Sequence, residues 1–265
     1  MTEPSATGTA TLAGRCVWIT RPEAQAESLC LALTALGAEV VAAPTLQIIA
    51  PEDRTVAIAA LQQLENSPIA IFVSRNAVDW SQQLLVDQQL SAVLGNSQVL
   101  AVGPATGRAL QNAGVVTVTT PAEGADSEAL LALPALQHER VREKQVAIVR
   151  GTGGRELLAD TLQKRAAKPV FVEVYQRVVH AGTAARMPGL WQSQPPAAIV
   201  VSSAMGLQAL LQMTPVQYQP LLLDCRLLAL GRHLPAQADA LGFKNCLPVS
   251  ASCGDSAVIS ALQTL

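Results

Sequence analysis

The sequence predicts an α/β protein made of two similar parallel-sheet domains. Three observations predict it. Apolar runs of strand length alternate with helical patterns along the chain, the order expected of strands linked through helices. The runs are apolar on both faces, as in strands covered by helices on two sides. The second half of the chain also echoes the first at a near-constant offset.

The predicted strands are 16–20, 69–74, 99–102, 146–150, 198–202 and 227–230. Between them lie helical patterns such as 24–36. There Leu29, Leu33 and Leu36 share one face and Gly37 supplies the stop. The echo runs through all of these elements. Ile71-Phe72-Val73-Ser74 answers Ile199-Val200-Val201-Ser202 at an offset of 128, and Val99-Leu100-Ala101-Val102-Gly103 answers Leu227-Leu228-Ala229-Leu230-Gly231 at the same offset. Gly114 and Gly242 close the following helical patterns, and Asp126-Ser127 answers Asp255-Ser256 at 129. Upstream, Val17-Trp18-Ile19-Thr20 answers Ala147-Ile148-Val149-Arg150, and Thr45-Leu46-Gln47 answers Tyr175-Gln176-Arg177, both at 130. Strands, helices and turns shifted together mark two copies of one unit. Two copies do not make a solenoid; they predict two similar domains facing each other.

Composition excludes several function classes. Of 265 residues, 50% are hydrophobic and 14% charged, enough for a sizeable core and unlike a disordered chain. The net charge is −2, there is no Lys/Arg run, and the eight aromatics (three Trp, two Tyr, three Phe) are few for base stacking. Nucleic acid is therefore not an expected partner. No apolar run approaches the roughly 18 residues that span a bilayer, so no membrane partner is expected either. Residues 1–13 are small and polar, without a basic start or apolar segment. They read as a disordered tail and place the protein in the cytoplasm. Five scattered cysteines form no C-x-x-C pair, and His138, His180 and His233 lie far apart, so neither a disulfide framework nor a metal site is expected.

One stretch does suggest an anion site. Residues 146–162 read strand, glycine-rich turn, helix, a way of presenting free N–H groups to a negative charge. A dinucleotide fold would need G-x-G-x-x-G. Here the turn is Gly151-Thr152-Gly153-Gly154-Arg155, without the third glycine and without a Walker lysine. The matching turn of the first copy, Thr20-Arg21-Pro22-Glu23, has no glycine. Nucleotide binding is disfavoured; a carboxylate suits the turn as well as a phosphate.

Six stretches taken together carry a family resemblance: VWITRPEAQAESL (17–29), IFVSRNAVDW (71–80), LAVGPATGRALQNAG (100–114), VAIVRGTGGRELLADTL (146–162), VEVYQRV (172–178) and IVVSSAMGLQALL (199–211). In order and spacing they resemble the uroporphyrinogen-III synthase family over nearly the whole chain after the tail. The resemblance implies two doubly wound (Rossmann/flavodoxin-like) parallel-sheet domains joined by two extended crossover strands, here 44–51 and 172–179. Domain one is then 1–46 plus 178–265 and domain two 47–177, with the active-site cleft between them. The implied substrate is hydroxymethylbilane, a linear tetrapyrrole bearing carboxylates. The implied reaction loses its terminal hydroxyl as water and closes the ring while inverting ring D, through azafulvene and spiro intermediates. The substrate already holds the reactive carbons, so no cofactor is implied. Catalysis would rest on orientation and on help to the leaving hydroxyl.

The resemblance assigns Tyr175 as the catalytic donor to that hydroxyl; a half-buried strand tyrosine is the other reading of the residue. Ser74, Asn76, Gly103, Thr106, Ser202 and Ser203 fall just past strand ends, where open α/β sheets bind ligands. They also suit helix caps, and the two roles are compatible. Arg21, Arg75, Arg150 and Arg155 are candidate partners for substrate carboxylates, with surface solvation the alternative for each; Arg177 is a weaker candidate. Gly151 and Gly153 would line the site. Gly231-Arg232-His233-Leu234 lacks the hydroxyl residue that often follows this glycine in the family and that Thr106 supplies in the first copy; either His233 substitutes as a donor or that side of the cleft contacts little. At Ala166-Ala167-Lys168-Pro169 the family usually has a glycine, which implies a changed turn. One chain with two lobes implies a monomer. The competing function is a cytoplasmic two-lobed binding or sensor protein, because fold alone does not fix activity.

Overall fold

The computed structural model describes residues 12–153, 156–231, 233–250 and 254–264. They form two compact units, one of residues 1–47 and 178–265, the other of 48–177. Each unit is a five-stranded sheet among the described residues. In chain order the strands are β1 (Cys16–Ile19), β2 (Glu39–Ala42), β3 (Leu46–Ile49), β4 (Ile69–Phe72), β5 (Gln98–Ala101), β6 (Gln145–Gly151), β7 (Lys168–Val179), β8 (Ala198–Val201), β9 (Arg226–Leu230) and β10 (Asn245–Val249). The first unit runs β2-β1-β8-β9-β10 in space and the second β5-β4-β6-β7-β3. The neighbours β2/β1/β8/β9/β10 and β5/β4/β6/β7 all pair in parallel. β3 and β7 carry the chain between the units, as the two extended crossovers.

The sequence repeat explains the strand orders. Copy one holds β1 to β5 and copy two β6 to β10. Each unit takes the opening strands of one copy and the closing strands of the other: β2-β1 lies beside β8-β9-β10, and β7-β6 beside β4-β5. The counterpart of β10 in the second unit is a single parallel bridge, Leu100 to Thr119. At an offset of 128 it falls on the pair Leu228 and Leu247 of β9 and β10. β7 is one strand of twelve residues where copy one has the two short strands β2 and β3. Pro44, which has no N–H for a ladder, stands in the gap between those two.

The strands read as buried because they are. All residues of β1, β4 and β8 are buried. Their side chains alternate between two layers of each sheet: Trp18 packs with Ile199, Val201 and Leu207, while Val17 and Ile19 pack with Leu29, Leu33 and Val200. In the second unit Phe72, Ala147 and Val149 face one layer and Ile71, Ile148 and Leu162 the other. Burying each of the Val, Leu, Ile and Phe side chains among them stabilises by roughly 1.5–3 kcal/mol.

Two expectations shift. Leu12, read as part of the tail, is fully buried, and its N–H donates to the Leu36 carbonyl. The apolar side chain closes over the end of helix Glu23–Ala35. Asp126 caps helix Ser127–Ala132 by accepting from the Ala129 N–H, but Asp255 lies inside the first turn of helix Gly254–Gln263. Its carboxylate accepts from Arg21 at 2.7 Å and from Ser28 at 2.6 Å. Burial works to raise this carboxyl, but those two hydrogen bonds and the Arg21 charge outweigh it and hold its pKa below the ordinary value.

The copies also differ at two left-handed positions. Gly14 and Gly37 have φ of 74° and 86°; at an offset of 129 stand Glu143 and Ala166, with φ of 60° and 59°. Ala166 is the residue at which a changed turn was expected. The turn keeps the backbone conformation that suits glycine, and a side chain is accommodated in it.

Candidate active site

Parallel strands deliver their C-terminal ends to one edge of a sheet, and the edge is open where the winding reverses. In the second unit that point is between β4, which leads on to β5, and β6, which leads on to β7. β4 runs out into Ser74, whose extended backbone and Oγ cap helix Arg75–Leu84 by accepting from the Ala77 N–H at 3.1 Å. β6 runs out into Gly151, opposite Tyr175 of β7, where the pairing register shifts.

Gly151 and Tyr175 fit because one of them lacks a side chain. A Cβ on Gly151 would lie 2.3 Å from Cε2 of the Tyr175 ring and 2.6 Å from Cζ. The ring is fully buried in that space. Its hydroxyl accepts from Arg177 Nη2 at 2.6 Å and lies 3.1 Å from Ser74 Oγ. The Arg177 guanidinium stands over the ring, 5.0 Å from its centroid.

Arg150 builds the turn beyond Gly151. It is 6% exposed. Its Nε donates to the Gly151 carbonyl at 3.0 Å and its Nη2 to the Gly153 carbonyl. It stacks on Phe171 at 4.4 Å and pairs with Glu173 at 3.7 Å. The same Glu173 carboxylate accepts from the Gly153 N–H at 3.3 Å, with Gly153 left-handed at φ 72°. The turn encloses a hollow of about 270 Å³, lined by Val73, Ser127, Gly151, Gly153, Leu158, Phe171, Tyr175 and the two arginines 150 and 177, among others. A single small-molecule site usually measures about 300–1,000 Å³. This hollow falls just below that range and offers apolar walls, a phenol and cations.

The sequence candidates divide accordingly. Tyr175, Ser74, Gly151, Gly153 and Arg150 come together in the second unit. Asn76 is half-buried in the first turn of the helix that Ser74 caps, and Arg75 is exposed beside it, paired with Asp79 at 3.3 Å. Gly103 and the buried Thr106 begin helix Pro104–Asn112 after β5, where a Cβ on Gly103 would meet Ala125 at 2.7 Å. Ser202, Ser203, Arg21 and His233 belong to the first unit. Ser203 caps helix Ala204–Met213 by accepting from Gly206 at 3.0 Å. Arg21 is held by Asp255, and His233 is exposed ahead of helix Leu234–Ala240 without a capping bond. Arg155 lies outside the described residues. Sequence reasoning passed over Ser127, Phe171 and Glu173. Glu173 lies within the family-like stretch 172–178, and no local pattern points to Phe171.

The model of the uroporphyrinogen-III synthase HemD family matches residues 27–255. The chain belongs to this family. A uroporphyrinogen-III synthase of Salmonella typhimurium is 32% identical over 249 residues, 93% of this chain and 99% of that protein. One from Escherichia coli is 32% identical over 248 residues, again 93% and 99%. Among solved structures, uroporphyrinogen III synthase from Thermus thermophilus superposes with a TM-score of 0.66 at 15% identity, covering 94% of this chain and 98% of the other. The Helicobacter pylori enzyme gives 0.63 at 13%, covering 95% and 100%. These two likenesses carry the fold, two α/β units with crossover strands.

Proposed function

We propose that this protein is a uroporphyrinogen-III synthase working at the hollow beside Tyr175. It closes hydroxymethylbilane with loss of water and inversion of ring D. The alternative, a two-lobed binding or sensor protein, is not favoured by the family to which the chain belongs.

The observation that carries the site is the hydrogen accounting around Tyr175. Arg177 can only donate. Ser74 Oγ already accepts from Ala77. The contact between Ser74 and Tyr175 consumes one hydroxyl hydrogen, whichever of the two donates. Two hydroxyls supply two hydrogens, so one is left for a third group. In the reaction that group is the departing hydroxyl of the bilane. Its protonation breaks the C–O bond, releases water and leaves the azafulvene cation. The substituted carbon of ring D attacks to give the spiro intermediate. The bond between that carbon and its original bridging carbon then breaks, the bridging carbon bonds to the other, unsubstituted α-carbon of ring D, and the proton lost from this carbon restores the donor.

Holding the chain ends is the larger contribution. An open bilane closes without inversion unless its terminal ring is oriented, and fixed geometry can supply several kcal/mol of such a barrier. Ser74, Asn76, Gly103, Thr106, Gly151 and Gly153 offer short polar groups and backbone N–H groups at strand ends for this purpose. Ser202, Ser203 and His233 offer the same in the first unit.

We also read the protein as a cytoplasmic monomer. Cys16, Cys30, Cys225 and Cys246 are free thiols, in keeping with a reducing compartment, and each sheet is completed within one chain. The functional test is direct. Freshly made hydroxymethylbilane is given to the pure protein, and the oxidised products are separated. Type III uroporphyrin should dominate; a product that is mainly the symmetric type I isomer overturns the reading.

A further inference from the structure

The cations near the strand ends are not equivalent. Arg21 is neutralised by Asp255 at 2.7 Å. Arg75 is exposed and shared with Asp79. Arg150 spends its donors on the Gly151 and Gly153 carbonyls and its charge on Glu173. Arg177 differs. It is half-buried on the wall of the hollow, and its partners among the described residues are the hydroxyl and ring of one neutral side chain, Tyr175. A guanidinium has five N–H donors, and one is used here. Its other donors, on the wall of the hollow, can take a negatively charged ligand group.

From this we propose that Arg177 binds a carboxylate of the substrate in the hollow while the same guanidinium holds the Tyr175 hydroxyl. The inference rests on the synthase reading and deepens it. Its planar fork can take a carboxylate through two parallel N–H bonds and still keep Nη2 on the phenol. A substrate side chain and the proton donor are then set by one rigid group. The ring that loses its hydroxyl is placed against the tyrosine by the acid it carries. The other cation on this wall, Arg150, is locked into the turn and leaves that task to Arg177.

Two roles must be separated: binding a carboxylate, and merely propping Tyr175. Arg177→Met and Arg177→Lys are made in the wild-type and in the Tyr175→Phe background, and KM and kcat for hydroxymethylbilane are measured at low and high salt. With folding checked by near-UV circular dichroism, Arg177→Met should raise KM about tenfold or more in both backgrounds, and its KM should lose salt dependence. Arg177→Lys should recover part of the KM. If the KM change vanishes when Tyr175 is Phe, Arg177 only props the phenol and the proposal fails. It fails equally if neither variant moves KM. Should Arg177→Met not fold, Arg177→Lys alone decides: unchanged KM and unchanged salt dependence contradict it. The type III product of the wild-type protein in the same assays keeps the synthase reading separate from these outcomes.

Discussion

Matching places in the two copies have opposite contents. In the second unit Gly151 leaves room for Tyr175, and a hollow opens beside the ring. At an offset of 130 the first unit has Arg21 and Thr45. Thr45 is buried and its Oγ1 donates weakly to the Thr20 carbonyl at 3.5 Å. Thr20 Oγ1 donates to Val200 at 2.8 Å. A Cβ on Gly206 would lie 3.0 Å from Ser203 Oγ and 3.2 Å from Thr45 Oγ1. Short hydroxyls fill this edge. Arg21 is drawn off to Asp255. One scaffold thus yields a packed edge and an open one, and two exchanges account for it: glycine for arginine, and tyrosine for threonine.

That contrast can be broken most severely at Gly151. Gly151→Ala should push the Tyr175 ring aside, and displacement of a reacting group by about an ångström costs on the order of 100-fold in rate. Turnover should fall by that order in a protein that remains folded by circular dichroism. Arg150→Met tests the turn. It strips donors from two carbonyls and removes the cation beside Glu173, so urea denaturation should show a loss of about 2–3 kcal/mol. The left-handed positions give an effect of opposite sign. Glu143→Gly and Ala166→Gly should each stabilise by about 0.5–1 kcal/mol, because relief of strain at positive φ exceeds the added chain entropy. The gain should appear as a higher urea midpoint with turnover unchanged.

Smaller still is the Arg21 tie. The folded Asp255 carboxyl titrates below its unfolded value. Its contribution is therefore complete above the ordinary carboxyl pKa of about 3.9 and fades as pH falls through the lowered folded value. Asp255→Asn should be slightly less stable than wild type near neutrality, and the gap should close in acid titrations followed by fluorescence.

Much of the fold was legible, for a physical reason. Strands buried on both faces, such as Ile69–Phe72 and Ala198–Val201, stand out as apolar runs. Glu39–Ala42 is exposed at both ends, and Asn245–Val249 carries Pro248 and an exposed Asn245; these edge strands gave no such signal. The constant offset revealed two copies. The pairing of β1 with β8 and of β6 with β4 depends on long-range packing that no local pattern encodes. The site was harder to read. Strand-end serines and glycines follow from fold logic. Whether an arginine meets a carboxylate, a carbonyl or a phenol depends on neighbours distant in sequence, as Arg21, Arg150 and Arg177 show in turn. The fit of Tyr175 onto Gly151 needed the register of β6 on β7.

One comparison of rates tests the role of the open edge most directly. Turnover of hydroxymethylbilane to the type III product is measured for Tyr175→Phe beside Thr45→Val, its counterpart in the other copy. Loss of the phenolic proton should lower kcat by roughly 100-fold with the fold retained, while Thr45→Val should keep the wild-type rate. A Tyr175→Phe protein that turns over as fast as wild type would contradict the claim that the open edge, and this hydroxyl in it, does the chemistry.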